Sequence, residues 1–101
     1  MSARDTRWGK TVKKEWFSIC CICGDKGSDP HHIFPRGIQA TKYIIKNGLW
    51  LCRNCHNTFK WMPDDEAKKV AIRFIGEETY NLLERIALGY EDNNGRLEEV
   101  R

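Results

Sequence analysis

The sequence contains no apolar run approaching the ~20 residues that a membrane-spanning helix needs. Its opening stretch, Met1 to Lys14, is polar and lacks the hydrophobic centre of a secretory signal. No segment recurs at a fixed period, and none is of low complexity. These absences argue against a helical membrane protein, a solenoid and a disordered chain. They lead to the expectation of a soluble domain spanning residues 1–101, in a reducing compartment where thiols stay free. A chain of 101 residues buries only about two-thirds of its unfolded surface, so its core is modest and a staple is expected. A disulfide framework is the poorer fit to the cysteines. The five cysteines are odd in number, and four of them form two CxxC pairs, which suits metal ligation better.

Charge is unevenly spread. Residues 1–19 carry five Lys/Arg against two Asp/Glu, residues 20–62 six against two, and residues 63–101 six against ten. Positive charge therefore gathers around the cysteines and histidines, as a phosphate-binding surface requires. A solvated basic face would have the same composition.

Residues 1–9 read as a flexible arm. The spacing predicts a short helix over Lys10 to Ile19, with Val12, Trp16 and Phe17 on one side. Cys20 to Cys23 followed by Gly24 reads as a tight knuckle, since glycine accepts the positive φ of such a turn. His31 to Phe34 is a candidate strand ended by Pro35 and Gly37, and Ile38 to Lys46 a connecting loop. Gly48 to Leu51 is a second strand, and Arg53 to Trp61 a helix. Trp50 and Trp61 read as core residues. Pro63 and the acids after it start another helix, striped by Ala67, Val70, Ala71, Phe74 and Ile75 and ended by Gly76. A last helix runs from Glu77 to about Leu88, with Tyr80, Leu83, Ile86 and Ala87 inward. Residues 63–89 thus form a helical extension that could pack on the rest or serve as a dimer face. Residues 91–101 read as a frayed tail.

The strongest chemical signal is Cys20-x-x-Cys23 with Cys52-x-x-Cys55. Zinc takes four thiolates in a tetrahedron, and a CxxC turn presents two sulfurs at a suitable bite. The 28 intervening residues exceed simple zinc-ribbon spacing but have room for a strand, a loop and a second strand. With all four positions filled by protein the zinc is structural, and its binding supplies folding energy. Buried core cysteines or a disulfide are the alternatives. Cys21 reads as a packing residue that could compete with Cys20 for zinc, with a poorer bite.

All three histidines lie near these pairs. The segments Asp29-Pro30-His31-His32-Ile33, Asn47-Gly48-Leu49-Trp50-Leu51-Cys52 and Arg53-Asn54-Cys55-His56 resemble the HNH endonuclease family, over about residues 20–60. The resemblance implies an α+β fold: a ββα-metal core over 20–61, stapled by the four-cysteine zinc knuckle, with an N-terminal arm and helix and two C-terminal helices. It implies that His32 is the general base, that His31 and His56 hold a catalytic divalent ion, and that Asn47 ties down the loop between the strands. It further implies DNA as partner and a cytoplasmic setting in a bacterial or phage-infected cell. A neutral imidazole can take a proton from water near pH 7. One divalent ion can bind the scissile phosphate and stabilise the leaving oxygen. Here His31 stands where relatives often have Asp. Two imidazoles favour Mn²⁺, Ni²⁺, Co²⁺ or Zn²⁺ over Mg²⁺, but the ion's identity stays open, Mg²⁺ included. Asp29 shares a strand face with His31 and could assist.

Arg36, Lys42, Arg53 and Lys60 are the candidate nucleic-acid contacts, Arg36 foremost, although a solvated charge is the commoner role for any one of them. No long base-reading helix is evident, so low sequence specificity and salt-sensitive binding are expected. One site per chain cuts one strand, which makes nicking the natural activity of a monomer or weak homodimer. The competing expectation is a non-catalytic zinc-knuckle module that binds nucleic acid or protein.

Overall fold

The computed structural model describes residues 2–101. They form a mixed α+β arrangement: α1 (Ala3–Glu15), β1 (Asp29–His32), a 3₁₀ turn at Ile45–Asn47, β2 (Gly48–Leu51), α2 (Arg53–Lys60), α3 (Asp64–Ile75) and α4 (Glu77–Ala87).

Helix α1 begins inside the stretch read as an arm. Ser2 accepts from the Asp5 amide (3.0 Å) while the Asp5 carboxylate accepts from the Ser2 amide (3.3 Å), closing a reciprocal cap that satisfies two end amides. Trp8 and Val12, one turn apart, are buried, and Trp16 continues the stripe half-buried. The helix stops before Phe17, so that residue leaves the stripe expected for it and is 82% exposed. Phe17 (φ 56°) and Ser18 (φ 62°) are left-handed. The Ser18 amide donates to the Lys13 carbonyl and the Phe17 amide to the Lys14 carbonyl, a paired termination that normally places glycine at position 17. A side chain there is strained and, being exposed, buries little in return. Phe17→Gly is therefore expected to stabilise the fold by about 1 kcal/mol, after allowing for the freer unfolded chain. Chemical denaturation will read this as a higher midpoint at unchanged slope.

The two strands pair antiparallel with Asp29 opposite Leu51, Pro30 opposite Trp50, His31 opposite Leu49 and His32 opposite Gly48. The first strand lies two residues earlier than the spacing predicts. Beyond His32 the ladder passes to Asn47, whose carbonyl accepts from the Ile33 amide (2.8 Å) and whose side chain takes over at Phe34. Period-two alternation splits β2 between two cores. Leu49 and Leu51 join Cys20 and Phe59 on one side, whereas Trp50 joins Trp8 and Val12 on the other. Gly48 permits the close approach of α1, because a Cβ there would overlap the Val12 and Trp8 side chains.

Helices α3 and α4 pack onto this unit. Ala67, Val70, Phe74 and Ile75 lie against the Leu49–Leu51–Phe59 cluster, and Leu83 and Ile86 close a third cluster with Ile44. Their apolar faces are thus spent within the chain. Trp61, read as core, is instead 81% exposed, because α2 ends at Lys60 and the chain turns toward Pro63. The stretch read as a frayed tail lies against the protein. The Ile45 amide donates to the Glu98 carbonyl (2.9 Å), the Val100 amide to the Tyr43 carbonyl (3.0 Å), and Val100 packs on the Trp8 cluster. No helix among the described residues is long and apolar enough to cross a membrane.

Candidate functional site

Two neighbouring arrangements carry chemistry. The first is the cysteine cluster. Cys20 and Cys23 come from the knuckle after α1, where Gly24 takes φ +81° and donates to the Cys20 carbonyl (2.9 Å). Cys52 caps α2, its sulfur accepting from the Cys55 amide (3.4 Å). One sulfur from each of the four lies within 4.8 Å of all the others. Cys23 and Cys52, from opposite pairs, are 3.7 Å apart. Among the described residues this is the one group of three or more His, Cys, Asp or Glu side chains whose ligand atoms converge so closely. It can hold a tetrahedral metal ion such as zinc. Burial opposes ionisation of Cys20, but the Cys23, Cys52 and Ile22 amides facing its sulfur prevail and bring the thiol down to about 6. Burial and neighbouring sulfurs push Cys55 strongly up. Cys21 lies outside the cluster and packs beside it. Burial, reinforced by Cys20, pushes its thiol up to about 12, as suits a packing residue.

The second arrangement lines an open cleft of about 810 Å³ between β1, α1 and α2. His31 and His32, being adjacent on a strand, leave on opposite faces. The His31 ring turns toward α2, 5.3 Å centroid to centroid from His56 and 4.6 Å from Phe59. Burial, with His56 and His32 nearby, lowers His31 to about 4, so it is neutral at pH 7. The Asp29 carboxylate stands 3.2 Å from His56 Nδ1. With Nδ1 donating to Asp29, Nε2 of the neutral ring keeps a lone pair. His32 turns toward α1. Its ring lies flat on Trp8 (3.8 Å, 7°), and its Nε2 is 3.0 Å from the Lys42 carbonyl. A carbonyl only accepts, so Nε2 carries the hydrogen and Nδ1 of the neutral ring is free to accept. Burial lowers the His32 pKa, and Arg36 and Lys42 add to this against the Lys42 carbonyl.

Asn47 is fully buried and fully bonded. Its Oδ1 accepts from the Phe34 amide (2.8 Å), and its Nδ2 donates to the Phe34 (3.1 Å) and Thr41 (3.0 Å) carbonyls. It thereby joins the chain just after His32 to the loop that leads to β2. Of the four basic candidates, Arg36 and Lys60 are exposed on the cleft lining. Lys42 also lines it but is paired with Asp5 at 3.6 Å. Arg53 lies outside the lining and pairs through Nε with Asp29 at 3.3 Å.

Sequence reasoning overlooked the contribution of α1. Asp5 accepts from the Tyr43 hydroxyl (2.6 Å), which, together with the Ser2 amide and Lys42, holds its carboxyl down at about 2. The available signals were the Ser2-x-x-Asp5 cap and the apolar positions Trp8, Val12 and Trp16 at four-residue intervals. No family model, curated protein or solved structure matches the chain.

Proposed function

We propose that this protein is a metal-dependent endonuclease of the HNH type, hydrolysing DNA phosphodiester bonds and nicking with low sequence specificity. The observation that carries this reading is one cleft holding two kinds of imidazole. His31 and His56 meet as a pair, and His32 presents Nδ1 with its other nitrogen already bonded to a backbone carbonyl. A pair of packing histidines would not require the third ring to be fixed in a single tautomer.

In this reading His31 and His56 hold the divalent ion, with Asp29 fixing the tautomer of His56 from behind. When bound, the ion neutralises phosphate charge and stabilises the leaving oxygen. His32 does the proton work. Its Nδ1 takes a proton from the attacking water, the positive charge spreads over the ring, and the Lys42 carbonyl stabilises the Nε2 hydrogen as it becomes more acidic. The lowered pKa keeps the ring neutral and able to accept at pH 7. Asn47 fixes the loop on which the direction of His32 depends. Arg36 and Lys60 are the phosphate contacts on the cleft. Arg53 and Lys42, each engaged by a carboxylate, are weaker candidates. The four cysteines hold structural zinc outside the chemistry. One site per chain makes the working unit a monomer or weak homodimer that cuts one strand at a time.

The test is conversion of supercoiled plasmid to open circles with Mn²⁺, Mg²⁺, Ni²⁺, Co²⁺ or Zn²⁺ added singly, zinc content being followed throughout. Nicking is expected with at least one ion, suppressed by chelator, restored by adding the ion back and weakened by salt. Binding without cutting in every ion would leave the zinc-knuckle module as the surviving reading.

A further inference from the structure

His32 is held by more than its own strand. Its ring lies 3.8 Å from Trp8 and within 7° of parallel, so one whole face of the imidazole is covered. Trp8 cannot slide away. It is 3% exposed, packed against Val12 and Trp50, and its Nε1 donates to the Ile44 carbonyl at 3.0 Å. The carbonyl that takes the Nε2 hydrogen of His32 belongs to Lys42, two residues before Ile44. That short segment is tied to α1 at three consecutive residues: Lys42 pairs with Asp5, the Tyr43 hydroxyl donates to Asp5, and the Ile44 carbonyl accepts from Trp8. Trp8 therefore touches both determinants of the imidazole, its plane directly and its backbone acceptor through the 42–44 segment.

Resting on the reading of His32 as the base, we infer that Trp8 is a positioning residue for the reaction: it holds the imidazole plane and tautomer so that Nδ1 stays the free, accepting nitrogen of a ring that lines the cleft. An unstacked imidazole could rotate about its two side-chain torsions. It would then lose the Lys42 bond and expose the wrong nitrogen for much of the time. A misplacement of about 1 Å at a proton-transferring group costs rate on the order of a hundredfold, while leaving substrate binding by remote groups intact. The apolar contacts of Trp8 alone would suit any large aliphatic residue; the flat stack and the indole donor would not.

Two variants separate these roles. Trp8→Leu keeps apolar bulk and removes the stack and the donor, whereas Trp8→Phe keeps a flat aromatic ring while removing the donor and part of the indole's area. With far-UV circular dichroism and zinc content at parental values, Trp8→Leu is expected to lower kcat for nicking by roughly ten- to a hundredfold. KM, and Mn²⁺ affinity measured calorimetrically, are expected to stay within about twofold, and Trp8→Phe is expected to recover most of the rate. The parent protein gives a second readout that no folding defect can obscure. Imidazole ¹⁵N spectra should show His32 in the single Nε2-protonated tautomer, with ring protons shifted upfield by the indole. Trp8→Leu nicking at the parental rate while His32→Ala is inactive, or a parent whose His32 samples both tautomers without ring-current shift, would overturn the role of Trp8. Parental nicking by His32→Ala would instead remove the reading on which it rests.

Discussion

His32→Ala is expected to abolish nicking, by on the order of 10²–10⁴-fold, without loss of fold or zinc. The size follows from what the side chain contributes. Water at pH 7 is a poor nucleophile, and His32 is the imidazole on the cleft left free to take its proton; the exposed Asp64 on the same lining offers a carboxylate, by class a weaker base than imidazole. In the proposed reading His31 and His56 hold the ion, and Asp29 is engaged by His56 and Arg53. The fold should survive because the His32 ring is a half-buried cover on Trp8 rather than part of a closed core, and its single polar bond is to a loop carbonyl. His32→Gln makes a sharper control, since it can keep a donor toward the Lys42 carbonyl but cannot accept and carry a proton at the opposite position. It is expected to be as inactive as the alanine variant. Nicking by either variant at the parental rate, across the metals tested, would refute His32 as base.

Cys52→Ser is expected to have the largest effect on stability. Cys52 belongs to the sulfur cluster and also caps α2, accepting from the Cys55 amide. A serine hydroxyl can preserve the cap, so the variant isolates metal ligation. A structural zinc site in a small domain contributes binding free energy directly to folding, with apparent values of about 10–16 kcal/mol in zinc-finger peptides. Even half of that, about 5–8 kcal/mol, is comparable to the margin of about 5–15 kcal/mol by which domains are stable. The cluster also joins elements far apart in sequence, since the 20–23 knuckle otherwise meets β2 through few bonds, such as that from the Cys21 amide to the Trp50 carbonyl. The variant should bind less than one zinc per chain and lose its cooperative thermal transition, and prolonged chelation of the parent should reproduce this. Cys21→Ser provides the contrast. Because Cys21 lies outside the cluster, this variant should keep full zinc content and lose only the modest contribution of a half-buried thiol. A Cys52→Ser protein that melts like the parent would show that the cysteines do not staple the fold.

The periodic elements were legible because each has a local cause. The α3 stripe and its acidic first turn, the Gly76 break and the inward positions of α4 all follow from spacing and end chemistry, and α2 starts where its cysteine cap places it. The misjudged places have local causes too. The Ser2–Asp5 cap is only two short polar side chains in a charged stretch, so it signals weakly against the pull of composition toward an arm. Phe17 was assigned to a stripe that its helix ends too early to continue. Trp61 was assigned to the core on hydrophobicity alone, although it follows the last residue of α2 and projects to solvent.

The amino-acid sequence by itself determined the chemistry available: four thiols in two pairs, three imidazoles, Asn47 among them, and an excess of positive charge in residues 1–62. Side-chain identity and short-range spacing suffice for that, because a CxxC turn and a two-residue strand step have nearly fixed geometry. Only the tertiary structure decided how these groups are oriented. The Trp8 stack, the Lys42 acceptor and the Asp29–His56 pair join residues 24, 10 and 27 positions apart, at distances set by how α1, the 42–44 segment and α2 pack against one hairpin. Hydrophobic packing favours burial of Trp8 without specifying which ring it will cover, so the plane and free nitrogen of His32 emerge only when all three elements close together.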